Sequence, residues 1–180
     1  MDLARVFTEK PDSMVWNKRD AKITDSNGNI VFELKDVEAP ASWSDNAVNI
    51  VASKYFKKIN GIQETSVKQL IERVVKTITN WGLDCGYFTD PDTNLGDYPA
   101  DVFKEELTWI LTNQYACFNS PIWFNFGVPG REQQAAACFL IGLEDNSESI
   151  RNWSTVESKI FKGGSGSGVN VSPLRGEKAP

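Results

Sequence analysis

The chain has 180 residues, 41% hydrophobic and 24% charged, with ten Phe, six Trp and a formal net charge of −5; that composition excludes bulk disorder and supplies enough apolar mass for a core. The acidic balance disfavours nucleic-acid binding, which draws on clustered positive charge, but leaves room for a locally positive site for a small anion. Histidine is absent, which excludes Ser-His-Asp and Cys-His catalysis within the chain and removes the commonest metal ligand.

Residues 1–13 are polar and expected to fray. Residues 21–34 read as a β-hairpin, with Asn27-Gly28 supplying positive φ angles at the turn and Pro40 closing the segment. Asp45 is then the expected N-cap of a helix through about Lys58, with Val48, Val51, Ala52 and Tyr55 on one face. The clearest helix starts at Ser66, where Ser66-Val67-Lys68-Gln69 is a capping box. Val67, Leu70, Ile71, Val74, Val75, Ile78 and Trp81 follow at helical spacing, and Gly82 is expected to end it. Residues 84–99 read as a loop, and a second long helix is expected from Ala100 to about Ala116. Asn119-Ser120-Pro121 is turn chemistry. Ala136–Ile141 is an apolar run of strand type, Asn146 or Ser147 caps a helix through about Phe161, and a glycine-rich loop at 163–168 leads into a buried strand at Val169–Val171. The front is therefore mostly helical and the back is strand–helix–strand, an arrangement that normally has neighbours on both sides. The expectation is that the chain continues elsewhere or pairs with another polypeptide.

No stretch approaches the roughly 18–20 apolar residues of a membrane span, and the N-terminus carries no signal-peptide core, so a cytosolic location is expected. The cysteines Cys85, Cys117 and Cys138 are too scattered for a zinc site or a secreted disulfide framework. The plain reading of Cys138 is a small core residue; the functional one is a redox thiol at a strand end beside a glycine-lined pocket. Cys117 reads as core packing and Cys85 as an exposed bystander. The glycine run lacks the Gly-Lys-Ser/Thr of a phosphate loop and has the wrong element order for a dinucleotide fingerprint. Either it is a linker or its backbone approaches a ligand closely; apolar Ile160-Phe161 and Val169–Val171 at its flanks oppose the linker. Asp145 and Arg175 sit near element ends, as solvated termini or, for Arg175, as a phosphate partner. Trp81 and Trp109 fall on apolar helical stripes and read as core.

Four ordered motifs carry a family resemblance. Trp43-Ser44 with Ile50–Phe56, then Phe118–Asn125 (Phe-Asn-Ser-Pro-Ile-Trp-Phe-Asn), then Ala137-Cys138-Phe139, then Phe161–Asn170 around the glycine run resemble the N-terminal part of class II, adenosylcobalamin-dependent ribonucleotide reductase, from about Trp16 onward. The resemblance implies an α/β fold in which a helical N-terminal region is followed by the first strands of a ten-stranded α/β barrel, incomplete in this chain. The implied division is an extension with a hairpin at 1–40, a helical domain at 41–118 and the start of the barrel at 119–180. It implies a ribonucleoside-diphosphate reductase that replaces the ribose 2′-hydroxyl by hydrogen. There adenosylcobalamin generates a thiyl radical on a finger-loop cysteine, and two further cysteines deliver electrons and become a disulfide. Carried over by motif, Cys138 is the first of those two reducing cysteines. Ser120, Ala137, Cys138 and Gly166 are substrate contacts, with no room for a side chain at Gly166. Asp145, Asn146, Ser147 and Arg175 line an allosteric site for a deoxynucleotide or ATP at a dimer interface.

The finger-loop Asn-x-Cys-x-Glu, the partner of Cys138, the rest of the barrel, most of the cobalamin site and the C-terminal shuttle cysteines have no counterpart in these residues. The implied polypeptide is thus inactive alone: a fragment, a truncated product or half of a split enzyme. Its implied partners are a ribonucleotide substrate, a nucleotide effector, a C-terminal reductase portion, a thioredoxin-type reductant and a second copy in a homodimer, with neither nucleic acid nor membrane. Two other readings stand beside it: a non-catalytic nucleotide-binding or interaction module, and a class I large-subunit fragment, against which the Trp-Phe-Asn and Phe-Lys-Gly-Gly-Ser-Gly wording favours class II.

Overall fold

The computed structural model describes residues 14–88 and 99–176. The expected frayed start, most of the expected 84–99 loop and the last four residues lie outside them. The chain divides into two units, Met1–Phe118 with Gly127–Pro129 and Asn119–Phe126 with Gly130–Pro180.

The first unit opens with an antiparallel ribbon, β1 (Trp16–Thr24) and β2 (Ile30–Pro40), registered from Trp16 opposite Pro40 to Thr24 opposite Ile30. One face carries Ala21, Val37 and Ala39, all fully buried. The ribbon is longer than the 21–34 hairpin, and its turn differs from the expected one. Gly28 is left-handed (φ 84°) but Asn27 is not. Asp25 organises the loop instead, its carboxylate accepting from the Asn27 and Asn29 backbone N–H groups, each at 2.9 Å, and from Asn29 Nδ2 at 3.0 Å. The bonds from Asn29, side chain first, hold that carboxyl below its ordinary value.

Helix α1 (Asp45–Lys54) is capped by Ser44, whose hydroxyl accepts from Ala47 N at 3.2 Å, rather than by Asp45. Asp45 instead takes the first helical turn, where an acid complements the dipole, and pairs with Arg19 at 2.9 Å. The helix stops short of Lys58 because a tight hairpin follows, β3 (Lys58–Ile59) and β4 (Ile62–Gln63). Its turn residues Asn60 (φ 50°) and Gly61 (φ 85°) are both left-handed, so the two-residue Asn-Gly turn is here and not at 27–28.

Helix α2 (Val67–Asp84) has the full capping box of Ser66 and Gln69. It buries Val67, Leu70, Ile71, Val74 and Val75, whereas Trp81 is 39% exposed and is not core. Gly82 does not end the helix. A Cβ there would run into the Phe88 ring, so its smallness serves packing. The helix ends at Gly86 (φ 72°) in a Schellman motif, with Tyr87 N donating to Gly82 O and Gly86 N to Leu83 O. Helix α3 (Ala100–Thr112) ends before Ala116 for the same reason: Gln114 (φ 60°) takes the left-handed position, and Tyr115 N reaches Ile110 O at 3.0 Å. Trp43 ties the α1 approach to this end, donating from Nε1 to Thr112 O at 2.8 Å. A buried ion pair links Glu64, just after β4, to α2: Arg73 Nε lies 2.8 Å from Glu64 Oε1, with the two side chains 6% and 7% exposed.

The second unit contains α4 (Ser120–Asn125), β5 (Cys138–Ile141), α5 (Ser147–Lys162) and β6 (Gly166–Val169). The Asn-Ser-Pro segment is a helix start, not an isolated turn: Asn119 is the N-cap and Pro121 occupies the first turn, where its missing N–H is harmless. Strands β5 and β6 pair in parallel across α5. The glycine run divides in two. Gly163 and Gly164 (φ 84°) close α5, with Ser165 N reaching Ile160 O at 3.3 Å, while Gly166 and Gly168 are residues of β6 itself. The loop-then-strand order holds, but the strand starts at Gly166 rather than Val169; of the flanks, Ile160 is buried as expected whereas Phe161 and Val171 are each 54% exposed. This is a mixed α/β arrangement, and among the described residues no barrel is closed.

Candidate functional site

In β5 the side chains alternate: Phe139 and Ile141 are half-buried, Cys138 and Leu140 are exposed. The half-buried face is the one towards α5, because Ser167, the register partner of Phe139, donates its hydroxyl to Glu157 Oε1 of that helix at 2.5 Å. The opposite face is open, and Leu140 is 94% exposed on it. A parallel sheet ordinarily buries both faces. On the open face Cys138 lies opposite Gly166 and Leu140 opposite Gly168.

Ala137, Cys138 and Gly166 are thus brought together directly, and Gly166 N donates to Ala137 O at 2.7 Å. Cys138 is exposed among the described residues. A Cβ on Gly166 would meet nothing nearer than Ala137 O at 3.8 Å, so the protein's own atoms leave room for a side chain there and any exclusion has to come from a ligand. Ser120 sits apart on the first residue of α4, half-buried.

The second expected cluster also assembles. Asn146 caps α5 by accepting from Ser149 N at 2.8 Å, Ser147 is the first helical residue, and Asp145 immediately precedes the cap. Arg175 joins them across 30 residues of sequence through Nε, 2.8 Å from Asp145 Oδ2. The pair is half open to solvent, with the arginine side chain 56% exposed. Of the other cysteines, Cys117 is exposed with its Sγ 3.3 Å from Phe118 O, not core, and Cys85 is exposed at the end of α2. Trp109 is half-buried and stacks on Tyr115 at 4.9 Å. No acid–cysteine group that could hold a metal ion occurs among the described residues, and none of the described helices is long and apolar enough to cross a membrane.

Three polar residues that the sequence reading did not single out surround the glycine turn. Asn125, 1% exposed, donates to Pro121 O at 2.8 Å and to Gly163 O at 3.0 Å. Gln134 Nε2 donates to Ser165 Oγ, and Ser165, 7% exposed, donates to Ala136 O at 2.5 Å. Asn125 lies within a quoted motif, but nothing in sequence marks which polar residue of a motif is buried.

The family described as class II vitamin B12-dependent ribonucleotide reductase matches residues 17–114, and the ribonucleotide reductase barrel domain matches residues 136–180. The chain is similar to the vitamin B12-dependent ribonucleotide reductase of Streptomyces clavuligerus, 45% identical over 170 residues that cover 93% of this chain and 17% of that protein. It is 37% identical to the one of Rhodopirellula baltica over 193 residues, covering 91% of this chain and 18% of the relative. The ribonucleoside-diphosphate reductase subunit alpha of a Synechocystis strain is 45% identical over 56 residues, covering 31% of this chain and 7% of that protein. The chain spans about one sixth of the length of the first two relatives. With one family covering residues 17–114 and the barrel domain of the same enzymes covering the strand–helix–strand unit, the chain belongs to the class II vitamin B12-dependent ribonucleotide reductases.

Proposed function

We propose that residues 119–180 form the substrate side of a ribonucleotide reductase active site, with β5–α5–β6 as the first unit of a ten-stranded barrel and Cys138 as one of its two reducing cysteines. The observation that carries this reading is the register of Cys138 against Gly166 on the uncovered face of a parallel sheet. A ribose laid on that face meets an exposed thiol and a strand with no side chain opposite it. Ala137 and Gly166 supply backbone contacts, and Ser120 a hydroxyl.

The net reaction converts a ribonucleotide and two thiols into a deoxyribonucleotide, water and a disulfide. Cys138 gives one proton and one electron, and becomes one half of the disulfide. The second thiol and the radical-bearing cysteine are assigned to the remaining reductase sequence, and a thioredoxin-type dithiol restores the pair. Cobalamin, when bound, supplies radical initiation. The described residues do not build its site. The cavity of about 640 Å³ beside Lys18, Lys35 and Glu38 is open and charged where a corrinoid needs a deep apolar cleft. The cofactor's binding residues are assigned to the rest of the enzyme.

Asp145, Asn146, Ser147 and Arg175 are read as part of an effector site, in which a nucleotide phosphate competes with Asp145 for Arg175. Nucleotide titrated calorimetrically into the 180-residue chain separates the catalytic reading from a stand-alone binding module, which binds without further sequence.

The test is a chimera in which residues 1–180 replace the matching segment of the Streptomyces clavuligerus enzyme. Nucleoside diphosphate, the substrate form named for the Synechocystis relative, is assayed first and the triphosphate second. Cobalamin- and dithiol-dependent deoxynucleotide formation that Cys138→Ser abolishes supports the reading; a Cys138→Ser chimera with intact turnover refutes it.

A further inference from the structure

Strand β6 poses a physical problem. Two of its four residues are glycine and two more glycines precede it. Such a segment loses the most backbone entropy on ordering, and its register is weakly specified by side chains. A slip of one residue would place Ser165 or Ser167, not Gly166, opposite Cys138. Something outside the ladder has to fix the register.

Ser167 ties the strand to α5 through Glu157; the remaining candidates converge on the residue just before the strand. The Ser165 hydroxyl, buried with its residue 7% exposed, donates to Ala136 O, while the next residue's N–H bonds Ala137 O. Two consecutive positions of one segment are thus matched to two consecutive carbonyls of the other. Gln134 Nε2 donates to the same hydroxyl, fixing its orientation. The Gln134 side chain also fills the space a Cβ on Gly163 would need, so that glycine's smallness makes room for it. Asn125 holds the turn from the other side through Gly163 O.

We infer that Ser165, oriented by Gln134 and with the turn held by Asn125, is a positioning residue that pins the register of β6 so that Gly166 faces the Cys138 thiol. Its role in the reaction rests on the substrate-side reading above; the register claim itself does not. A buried hydroxyl aimed at one named carbonyl discriminates between registers, because a slip leaves both groups unpaired.

Oxidative cross-linking reads register directly. In the 180-residue chain carrying Cys85→Ser and Cys117→Ser, a cysteine introduced by Gly166→Cys lies opposite Cys138 on the same face, and one introduced by Ser167→Cys lies on the α5 face. Disulfide formation with Cys138 is expected at least tenfold faster for Gly166→Cys. Adding Ser165→Ala should reduce that preference to under twofold, and Ser165→Thr, which keeps the hydroxyl, should restore it. Where Ser165→Ala does not fold, Gln134→Ala is scored by the same criterion. A preference that stays tenfold in the alanine variant overturns the inference. Because cross-linking needs no turnover, a negative result here is distinguishable from failure of the Cys138 assignment, which the chimera assay reads. In the chimera, Ser165→Ala should raise KM for the nucleotide about tenfold with a smaller fall in kcat, and Ser165→Thr should return it to within threefold.

Discussion

The buried Glu64–Arg73 pair gives the sharpest stability prediction. Glu64→Gln keeps the shape and leaves an oxygen to accept from Lys57 N, which now donates to Glu64 Oε2 at 2.8 Å. What it removes is the negative charge facing a guanidinium only 6% exposed. Breaking a buried pair from one side costs about 3–5 kcal/mol, because the surviving charge stays desolvated. With the backbone acceptor preserved, the lower end of that range, about 3 kcal/mol, is expected. Replacing both partners, Glu64→Gln with Arg73→Met, removes the buried charge and should recover all but about 1–2 kcal/mol, since apolar replacement of a buried pair is often nearly neutral. The assay is urea denaturation of the chain, read by the fluorescence of buried Trp43, with a double-mutant cycle for the coupling. A Glu64→Gln loss below about 1 kcal/mol, or a double variant less stable than the single, refutes the reasoning.

Two further outcomes follow from local geometry. Glu38 accepts from Lys68 Nζ at 2.8 Å and from Ser66 Oγ at 2.5 Å, and these bonds, Lys68 first, lower its pKa. A depressed carboxylate stabilises above its unfolded pKa and loses that contribution as pH falls through the folded one. Glu38→Gln should therefore destabilise at neutral pH by about 1 kcal/mol and converge with the parent below the folded pKa of Glu38, measured by urea titration across pH. Gly82→Ala, a change that normally favours a helix interior by about 1 kcal/mol, should instead lower the melting temperature because of the Phe88 ring; Gly82→Ala with Phe88→Ala should remove that clash.

Where an element is set by local chemistry it was legible in sequence. The Ser66–Gln69 capping box and the Asn146 cap are both present because each needs only side chain and backbone a few residues apart. Helix ends were read less well. Residue type points to Gly82 as a terminator, while the left-handed positions fall on Gly86 and Gln114, and a non-glycine Schellman residue leaves little mark in sequence. The Asn60-Gly61 hairpin could have been read from its dipeptide, yet the same dipeptide at 27–28 adopts another turn because Asp25 binds the loop backbone. At the site, motif resemblance singled out Cys138, Ala137 and Gly166, and the strand register brings them together. The supporting Asn125, Gln134 and Ser165 were not legible, because their importance lies in burial and in carbonyls up to 38 residues away.

The central claim is that Cys138 is oxidised during turnover. The prereduced chimera, given one equivalent of nucleoside diphosphate without external dithiol, should form deoxynucleotide and lose the alkylatable Cys138 thiol in equal amount, with Cys138 recovered by mass spectrometry in a disulfide. Deoxynucleotide formed while Cys138 stays fully alkylatable would contradict the account.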